Sequence, residues 1–236
     1  MTVEKKRQTK PAQTRVPPRR AAQLPPKERR EQLLQCAIKV FAEFGIGSAG
    51  HAQVAKAAGV AVPTVFAYFP TRIALIQAVT EEAEKYVFDM LRKYTVESPQ
   101  LSAFERLYGL LSYWAKSTDT HPDLIKVVSN WSTSFQPDVE PLFQDYFSRV
   151  IKALAGIVRE GQKNGEFGKD VDPLDAALII QSSGNLISHL KFSKYSSARL
   201  TKYLVDVIRG ALQISLSPNS AKGLASPSSR VRLKVN

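Results

Sequence analysis

The side chains that could perform acid–base, nucleophilic or metal chemistry are scattered along this chain. The three histidines are far apart in sequence, and Cys36 is the only cysteine. Carboxylates such as Asp145 and Glu160 fall on predicted helical surfaces with neither a histidine partner nor a glycine-rich loop beside them. Catalysis needs such groups within reach of one another. The sequence therefore predicts no enzyme, no metal site and no cofactor.

One short stretch, "GVAVPTVFAYFPTRIAL" at residues 59–75, is largely apolar and has a proline near each end, but no obvious acid, base or metal ligand. Pro63 fits the first turn of a helix, where its missing N–H costs nothing. Pro70 ends the helix, because proline disfavours the helical conformation in the residue before it. The stretch predicts a helix of barely two turns at residues 62–68. Its inward side is expected to hold Val65, Phe66 and Phe69.

Two predicted helices come directly before this short helix. The first, "PKERREQLLQCAIKVFAEFG", carries apolar residues at steps of three and four and ends at Gly45. The second spans about residues 51–58, and Gly59 after it accepts the left-handed backbone of a tight turn. A helix, a short turn containing glycine and a second helix form a helix-turn-helix, whose second helix enters the major groove of DNA.

Positive charge is concentrated at the two ends of the chain and in this first helical segment. The formal net charge is +12. Residues 1–25 carry seven Lys and Arg against one Glu, and residues 217–236 carry four against no acid. Such an asymmetry favours a polyanionic partner, most often nucleic acid. Basic tails that merely keep the protein hydrated are the alternative.

The rest of the chain predicts an all-α protein of about nine helices. Thr71 is a candidate N-cap for the fourth helix, and "DPLDAAL" at 172–178 is a clear start signal with Asp172 as the cap. Further helices are expected at about 100–117, 122–134, 137–164, 173–192 and 197–215. The predicted organisation is a disordered basic arm (1–25), a DNA-binding domain (26–72), a regulatory and dimerisation domain (73–216) and a disordered basic tail (217–236).

Composition also bears on the compartment. No apolar run approaches the roughly 18 to 20 residues that span a bilayer, and the basic N-terminus has no apolar segment behind it. A single cysteine agrees with a reducing environment. We expect a cytoplasmic protein without a membrane partner.

Residues 26–72 resemble the DNA-binding domain of the TetR family of bacterial transcription regulators, through "AIKVFAEFGIG", "VAKAAGV" and above all "TVFAYFPTRIAL". Within that family, "GIGSAGHAQVA", "VFAYFPTR" and "NWSTSFQPDVEPLF" are similar to the quorum-sensing master regulators of the LuxR/HapR type, over most of residues 24–212. The resemblance implies a homodimer that binds a palindromic operator at the bacterial nucleoid, as a repressor or an activator. One departure is Ala61, where that branch usually has a serine helix cap.

Affinity for DNA comes mainly from hydrogen bonds and charges at the phosphates. We expect phosphate contacts from the starts of the first two helices and from the end of the short one. For His51 the alternative is a purely local capping role, and for Tyr68 it is packing alone. The expected phosphate contacts are Lys27, His51, Gln53, Tyr68, Thr71 and Arg72.

Base contacts are expected from the exposed side of the short helix, where small residues allow a close approach. Thr64 can offer a hydroxyl to a base or a methyl to a thymine, and such apolar readout leaves part of the specificity to DNA shape. Arg19 and Arg20 could enter a neighbouring minor groove, or simply be solvated. The expected base contacts are Ala61, Val62, Pro63, Thr64 and Ala67.

The last two long helices are expected to form the dimer contact. Apolar residues follow one side of each, so two helices from each subunit would give a four-helix bundle. Ordinary packing within one chain could explain the same pattern. The predicted interface is Ala177, Ile180, Gly184, Ile187, Leu200, Leu204, Val207, Ile208 and Ala211.

The middle helices, rich in aromatic residues, could enclose a pocket for a small hydrophobic ligand, although such residues are more often plain core. The identity of a ligand is open. The positions that the LuxR/HapR resemblance implies for the pocket are Val87, Met90, Leu91, Val128, Phe143, Phe147, Ile180 and Gly184, with Trp131 added for its aromatic character.

One other function fits the charge pattern, namely a non-specific architectural binder of nucleic acid that acts through the basic tails. Deleting residues 1–20 would separate the two, because only the architectural binder would lose nearly all affinity. Repression and activation cannot be distinguished from the fold, since they depend on where the operator lies.

Overall fold

The computed structural model describes residues 24–134, 136–137 and 139–212, and within them it contains helices and no strands. This confirms the predicted all-α fold. The predicted arm at 1–25 and tail at 217–236, with Arg19 and Arg20, lie outside the described residues except for residues 24 and 25. The helices are α1 (Pro26–Ser48), α2 (His51–Ala58), α3 (Val62–Tyr68), α4 (Arg72–Thr95), α5 (Ala103–Thr120), α6 (Pro122–Ser132), α7 (Glu140–Lys163), α8 (Pro173–Phe192) and α9 (Ser197–Leu212).

The first three helices pack on one another around buried apolar residues. Leu33, Ala37 and Phe41 of α1 are fully buried, as is Val54 of α2. The backbone of α1 breaks at Gly45, whose φ of 75° is left-handed, so the chain changes direction there before its last residues. Because α1 packs on both α2 and α6, it joins the short helices to the rest of the protein.

Helices α4 to α9 form the larger part of the molecule. Helix α8 lies against α5, α7 and α9, and α6 fills the space between α1 and α8. The predicted caps are confirmed, since Thr71 Oγ1 accepts from Ala74 N at 3.1 Å and Asp172 Oδ1 accepts from Leu174 N at 2.7 Å. These caps fix where α4 and α8 begin.

Two predicted helix starts were wrong by three residues. Helix α5 begins at Ala103 and not at 100, because Ser102 and Glu105 form a reciprocal capping box. Helix α7 begins at Glu140 and not at 137, with Pro141 in its first turn. The division of residues 26–216 into two domains stays a prediction.

Among the described residues, no single helix is both long and apolar enough to cross a membrane. Only α3 and α4 taken together pass that test, and they are bent by 66° at the break between them. The described residues also contain no group of three or more His, Cys, Asp or Glu placed to hold a metal ion.

Candidate DNA interface and regulatory pocket

The turn between α2 and α3 has the geometry that the helix-turn-helix pattern predicts. Gly59 ends α2 with φ 66° and ψ 34°, a left-handed conformation that a side chain would disfavour. Val60 N then donates to Ala55 O at 3.0 Å, which closes the turn. Helix α3 follows without any side-chain cap at Ala61, in line with the departure noted in the sequence.

One side of α3 is core and the other is open to solvent. Val65 is fully buried and Phe69 is 2% exposed, so the aromatic residue at the end of the helix anchors it as expected. The residues expected to contact bases lie on the open side, where Thr64 is half-buried and the others are exposed. Those others are Ala61, Val62, Pro63 and Ala67.

Phe66 does not face inward, and this prediction was wrong. Its side chain is 45% exposed, because one step from Val65 turns the helix by about 100° and takes the next residue away from the core. The ring stacks flat on the imidazole of His51, with centroids 3.9 Å apart and planes 6° from parallel. Phe66 therefore covers His51 instead of filling the core.

His51 is a structural residue in this geometry. It is 8% exposed, and its Nε2 lies 2.7 Å from the carbonyl oxygen of Phe69. A carbonyl can only accept, so Nε2 carries the proton and donates it. The structure thus favours the local role over the phosphate contact.

Arg72 also makes contacts within the protein where a phosphate contact was expected. Its guanidinium donates to the carbonyl oxygens of Ile46 and, at 3.1 Å, of Gly47. Gln53 donates from Nε2 to Ser48 O at 3.0 Å. These carbonyls follow the break at Gly45 and have no helical partners beyond it. Arg72 and Gln53 therefore hold in place residues 46–50, which lie after the break at Gly45 and which we call the α1–α2 turn.

Three expected phosphate contacts remain accessible. Lys27 in the first turn of α1 and Thr71 at the start of α4 are exposed, and Tyr68 at the end of α3 is half-buried. Arg30 is a further candidate for a phosphate contact that the sequence analysis did not name. It is exposed, and its guanidinium carbon lies 5.3 Å above the ring of Phe69. Its position three residues after Lys27, on the same side of α1, is the signal that could have found it.

The helical domain encloses a cavity of about 70 Å³ between α4, α5, α6, α7 and α8. Six of the nine predicted positions line it. Apart from two amide side chains, Gln181 and Asn185, the lining is almost entirely apolar. The lining residues are Val87, Met90, Leu91, Leu110, Leu111, Trp114, Val128, Tyr146, Val150, Leu154, Ile180, Gln181, Gly184 and Asn185.

The other three predicted pocket residues, Trp131, Phe143 and Phe147, do not line the cavity. They form an aromatic cluster beside it, in which Trp131 stacks on Tyr146 with centroids 5.0 Å apart and Phe143 lies 5.6 Å from Phe147. Tyr146 belongs to both the cluster and the cavity wall. Burial raises the pKa of its phenol, so the side chain stays neutral.

Most residues of the predicted dimer face are buried as core within this chain. Gly184 faces the cavity and Val207 is half-buried. The remaining positions leave no surface for a partner. These buried positions are Ala177, Ile180, Ile187, Leu200, Leu204, Ile208 and Ala211.

Helix α8 is apolar on its opposite face as well, and that face is open. Ile179 is 50% exposed there, and a shallow depression of about 410 Å³ runs along it to Tyr203 of α9. Exposed apolar residues in a contiguous patch mark interaction surfaces. We call Leu174, Leu178, Ile179, Ser182 and Leu186 the outer face of α8.

The carboxylates weighed as catalytic candidates both lie on α7 and form ion pairs. Asp145 accepts from Arg149 at 2.9 Å, and Glu160 pairs with the buried Arg106. The first pair lies within α7 and the second joins α7 to α5, and both are ordinary structural pairs.

A short helix presented by two others, joined to a helical domain with an internal cavity, defines the class of helix-turn-helix regulators with an attached regulatory domain. The profile of "Bacterial regulatory proteins, tetR family" matches residues 33–79, and that of "Tetracyclin repressor-like, C-terminal domain" matches residues 104–196. Together they cover more than half of the chain. The chain belongs to the TetR family of transcriptional regulators.

Individual relatives agree with this assignment. The HTH-type transcriptional regulator LuxR of Vibrio harveyi is 34% identical over 120 residues, which are 51% of this chain and 58% of that protein. The match thus spans little more than half of LuxR. Among solved structures, a TetR-family regulatory protein of Rhodococcus RHA1 has a TM-score of 0.67 at 20% identity, covering 80% of this chain and 99% of the other. FadR of Bacillus subtilis, solved with stearoyl-CoA, has a TM-score of 0.64 at 20% identity, covering 77% and 98%.

Proposed function

We propose that this protein is a homodimeric regulator of transcription that binds a palindromic DNA operator through α3. The observation that carries the proposal is the projection of α3, whose buried Val65 and Phe69 leave its small residues facing solvent. Two such helices in a dimer would enter successive major grooves about 34–36 Å apart. The operator should therefore be two inverted half-sites one turn of DNA apart.

Phosphate contacts should position the helix, and α3 itself should read the sequence. Lys27, Tyr68 and Thr71 are the accessible predicted donors, and Arg30 joins them. The start of α2 has no side-chain cap, so its backbone N–H groups can also meet a phosphate. Arg19 and Arg20 remain candidates for the minor groove.

The base contacts we propose are unusually apolar. Val62, Pro63 and Ala67 offer only carbon surface, which can meet thymine methyl groups, and Thr64 adds one hydroxyl. Few direct hydrogen bonds to bases are then available. A large share of the specificity should come from the shape and deformability of the DNA.

The outer face of α8 is the dimer surface that we propose in place of the predicted one. It is apolar, exposed and continuous with a depression that reaches Tyr203 of α9. A second copy of the same face would cover it across a two-fold axis, because such an interface is self-complementary. Helices α8 and α9 of the two subunits would still form a four-helix bundle, but they would meet through the other face of α8.

The cavity is the proposed site for a regulatory ligand. At about 70 Å³ it holds little more than a few water molecules, so a ligand must separate the surrounding helices. No Lys or Arg lines it. We therefore propose a small, neutral, apolar molecule whose one polar group meets Gln181 or Asn185. An acyl-CoA, with its phosphates, would find no countercharge here.

We place this regulation in the bacterial cytoplasm, at the nucleoid, because the target is genomic DNA. The similarity to LuxR makes a quorum-sensing type of global regulation the working proposal for its biological role. Whether a given promoter is repressed or activated would follow from the position of the operator. Mapping bound sites across the genome, together with the changes in transcription, would decide this.

The proposal is tested by selecting duplexes from a randomised DNA library with the full-length protein. An inverted repeat should emerge, bound much more tightly than scrambled DNA at physiological salt, with affinity falling steeply as salt rises. Deleting residues 1–20 should leave a complex that is only weaker or less selective. Equal affinity for scrambled DNA, or loss of nearly all binding on deletion, would indicate the architectural binder instead.

A further inference from the structure

The loop between α6 and α7 reaches the DNA-binding helices directly. The side chain of Gln136 in this loop lies against Gly47 in the α1–α2 turn, so closely that a methyl group on Gly47 would be 3.0 Å from Nε2 of Gln136. The same turn is held by Arg72 through the carbonyls of Ile46 and Gly47. The side chain of Gln136 thus contacts the turn from which α2 starts.

This part of the molecule has several buried polar atoms without partners. Within the described residues six such side-chain atoms occur, and three of them, Ser129 Oγ, Trp131 Nε1 and Gln136 Oε1, lie within eight residues of sequence. Buried polar groups in native proteins are nearly always hydrogen-bonded, because leaving them unpaired costs free energy. These three atoms lie at the end of α6 and in the loop that carries Gln136.

The same segment touches the cavity on its other side. Trp131 stacks on Tyr146, which lines the cavity. Asn185, another lining residue, donates from Nδ2 to Ser132 Oγ at 3.1 Å, at the last residue of α6. A ligand that moves the cavity wall would therefore move the end of α6, four residues before Gln136.

We propose that Gln136 is a positioning residue for DNA binding. Its side chain holds the α1–α2 turn, and the end of α6, four residues before it, contacts the cavity wall through Trp131 and Ser132. This rests on the proposed function, since it concerns how the same cavity acts on the same DNA-binding helices. The observation behind it is the close approach of the Gln136 amide to Gly47.

The test is a double-mutant cycle of Gly47→Ala and Gln136→Ala. The backbone of Gly47 is not left-handed, and among the residues that the structure describes only the flexible end of the Gln136 side chain lies within 4 Å of an added methyl. Gly47→Ala should therefore fold and push Gln136 aside. Binding is measured to the duplex that the wild-type protein selects best. Each single change should weaken binding about three- to tenfold, as coupling contacts of this kind do.

The cycle separates a shared contact from two independent effects. In the Gln136→Ala background, Gly47→Ala should have less than about a twofold further effect, because the group it displaces is gone. Gln136→Met, which keeps the length of the side chain and removes the unpaired oxygen, should bind within about twofold of the wild type. Gly156→Ala, where nothing lies within 4 Å, is the matched control and should leave binding unchanged.

Additive single effects, or a Gln136→Met variant as weak as Gln136→Ala, would overturn the proposal. A measurement without DNA tests the Gln136 contact separately from the proposed function. Hydrogen exchange of amides 46–50 should speed up in Gln136→Ala and in Gly47→Ala, but not in Gly156→Ala. If the wild type selects no duplex, the proposed function fails, and this exchange experiment still decides whether Gln136 holds the turn.

Discussion

The ring of Phe66 lies flat on that of His51, 3.9 Å away, while Nε2 of His51 donates to the carbonyl of Phe69. One imidazole thereby joins the first residue of α2 to the last turn of α3. A helix of seven residues is not stable by itself in water, because helix formation has a costly nucleus. Contacts such as these hold the C-terminal end of α3 against α2, so that the helix can project toward a groove.

We predict that His51→Ala lowers the free energy of unfolding by about 1–3 kcal/mol, the usual result of leaving a buried partner unpaired and removing a stacked ring. Urea unfolding of the purified protein measures this. If His51 instead contacts a phosphate, His51→Ala should leave the stability unchanged. The slope of log affinity for DNA against log salt concentration should then become smaller by about one.

Ala67→Glu tests whether α3 enters a groove. Ala67 is exposed, so the protein should keep its stability within about 0.5 kcal/mol. DNA binding should fall by about 100-fold or more, because a carboxylate on the groove-facing side meets the negative potential of DNA. Titration of the selected duplex measures the loss. Ser148→Glu, an exposed site on α7, is the control, and an equal loss there would mean a general charge effect.

The sequence was sufficient for the helix-turn-helix because its signals are local. Pro63, Pro70 and Gly59 each act on their own backbone, and Val65 and Phe69 are one helical turn apart. The partners of His51 and Arg72 are carbonyls 18 and 25 or 26 residues away in the chain. A local pattern contains no information on such contacts, so the sequence could not decide whether either residue contacts a phosphate.

Which face of α8 is buried is a second feature that the sequence could not predict. Ile187 is fully buried and Ile179 is half exposed, although both belong to apolar rows of the same helix. Periodicity identifies a buried face when the opposite face is polar. Because α8 is apolar on both faces, only its packing on α5 and α7 decides which one is internal.

Paired substitutions on α8 should separate these two faces. Ile179→Glu should dissociate the dimer, because it places a charge in an apolar contact, and the monomer should remain folded. Ile187→Ala should instead cost about 2–4 kcal/mol of stability and leave the dimer intact, since it opens a cavity in the core. Analytical ultracentrifugation and urea unfolding of both variants give the two readouts. Dissociation by Ile187→Ala with none by Ile179→Glu would restore the predicted face.

The cavity wall offers a prediction on stability at Gly184. A methyl group there would lie 3.6 Å from Trp114 Nε1, an ordinary contact, and would occupy part of the cavity. Replacing a glycine inside a helix with alanine stabilises by roughly 0.5–1 kcal/mol. Burial of the methyl against the wall adds up to about 0.8 kcal/mol.

Gly156→Ala supplies the matched comparison, because this glycine is inside α7 with nothing within 4 Å of an added methyl. Both variants gain the helical preference, and only Gly184→Ala fills the cavity. Gly184→Ala should therefore unfold at the higher urea concentration of the two. If it proves less stable than Gly156→Ala, the space beside Trp114 is closed in solution, and a ligand would have to create its site entirely by moving α8.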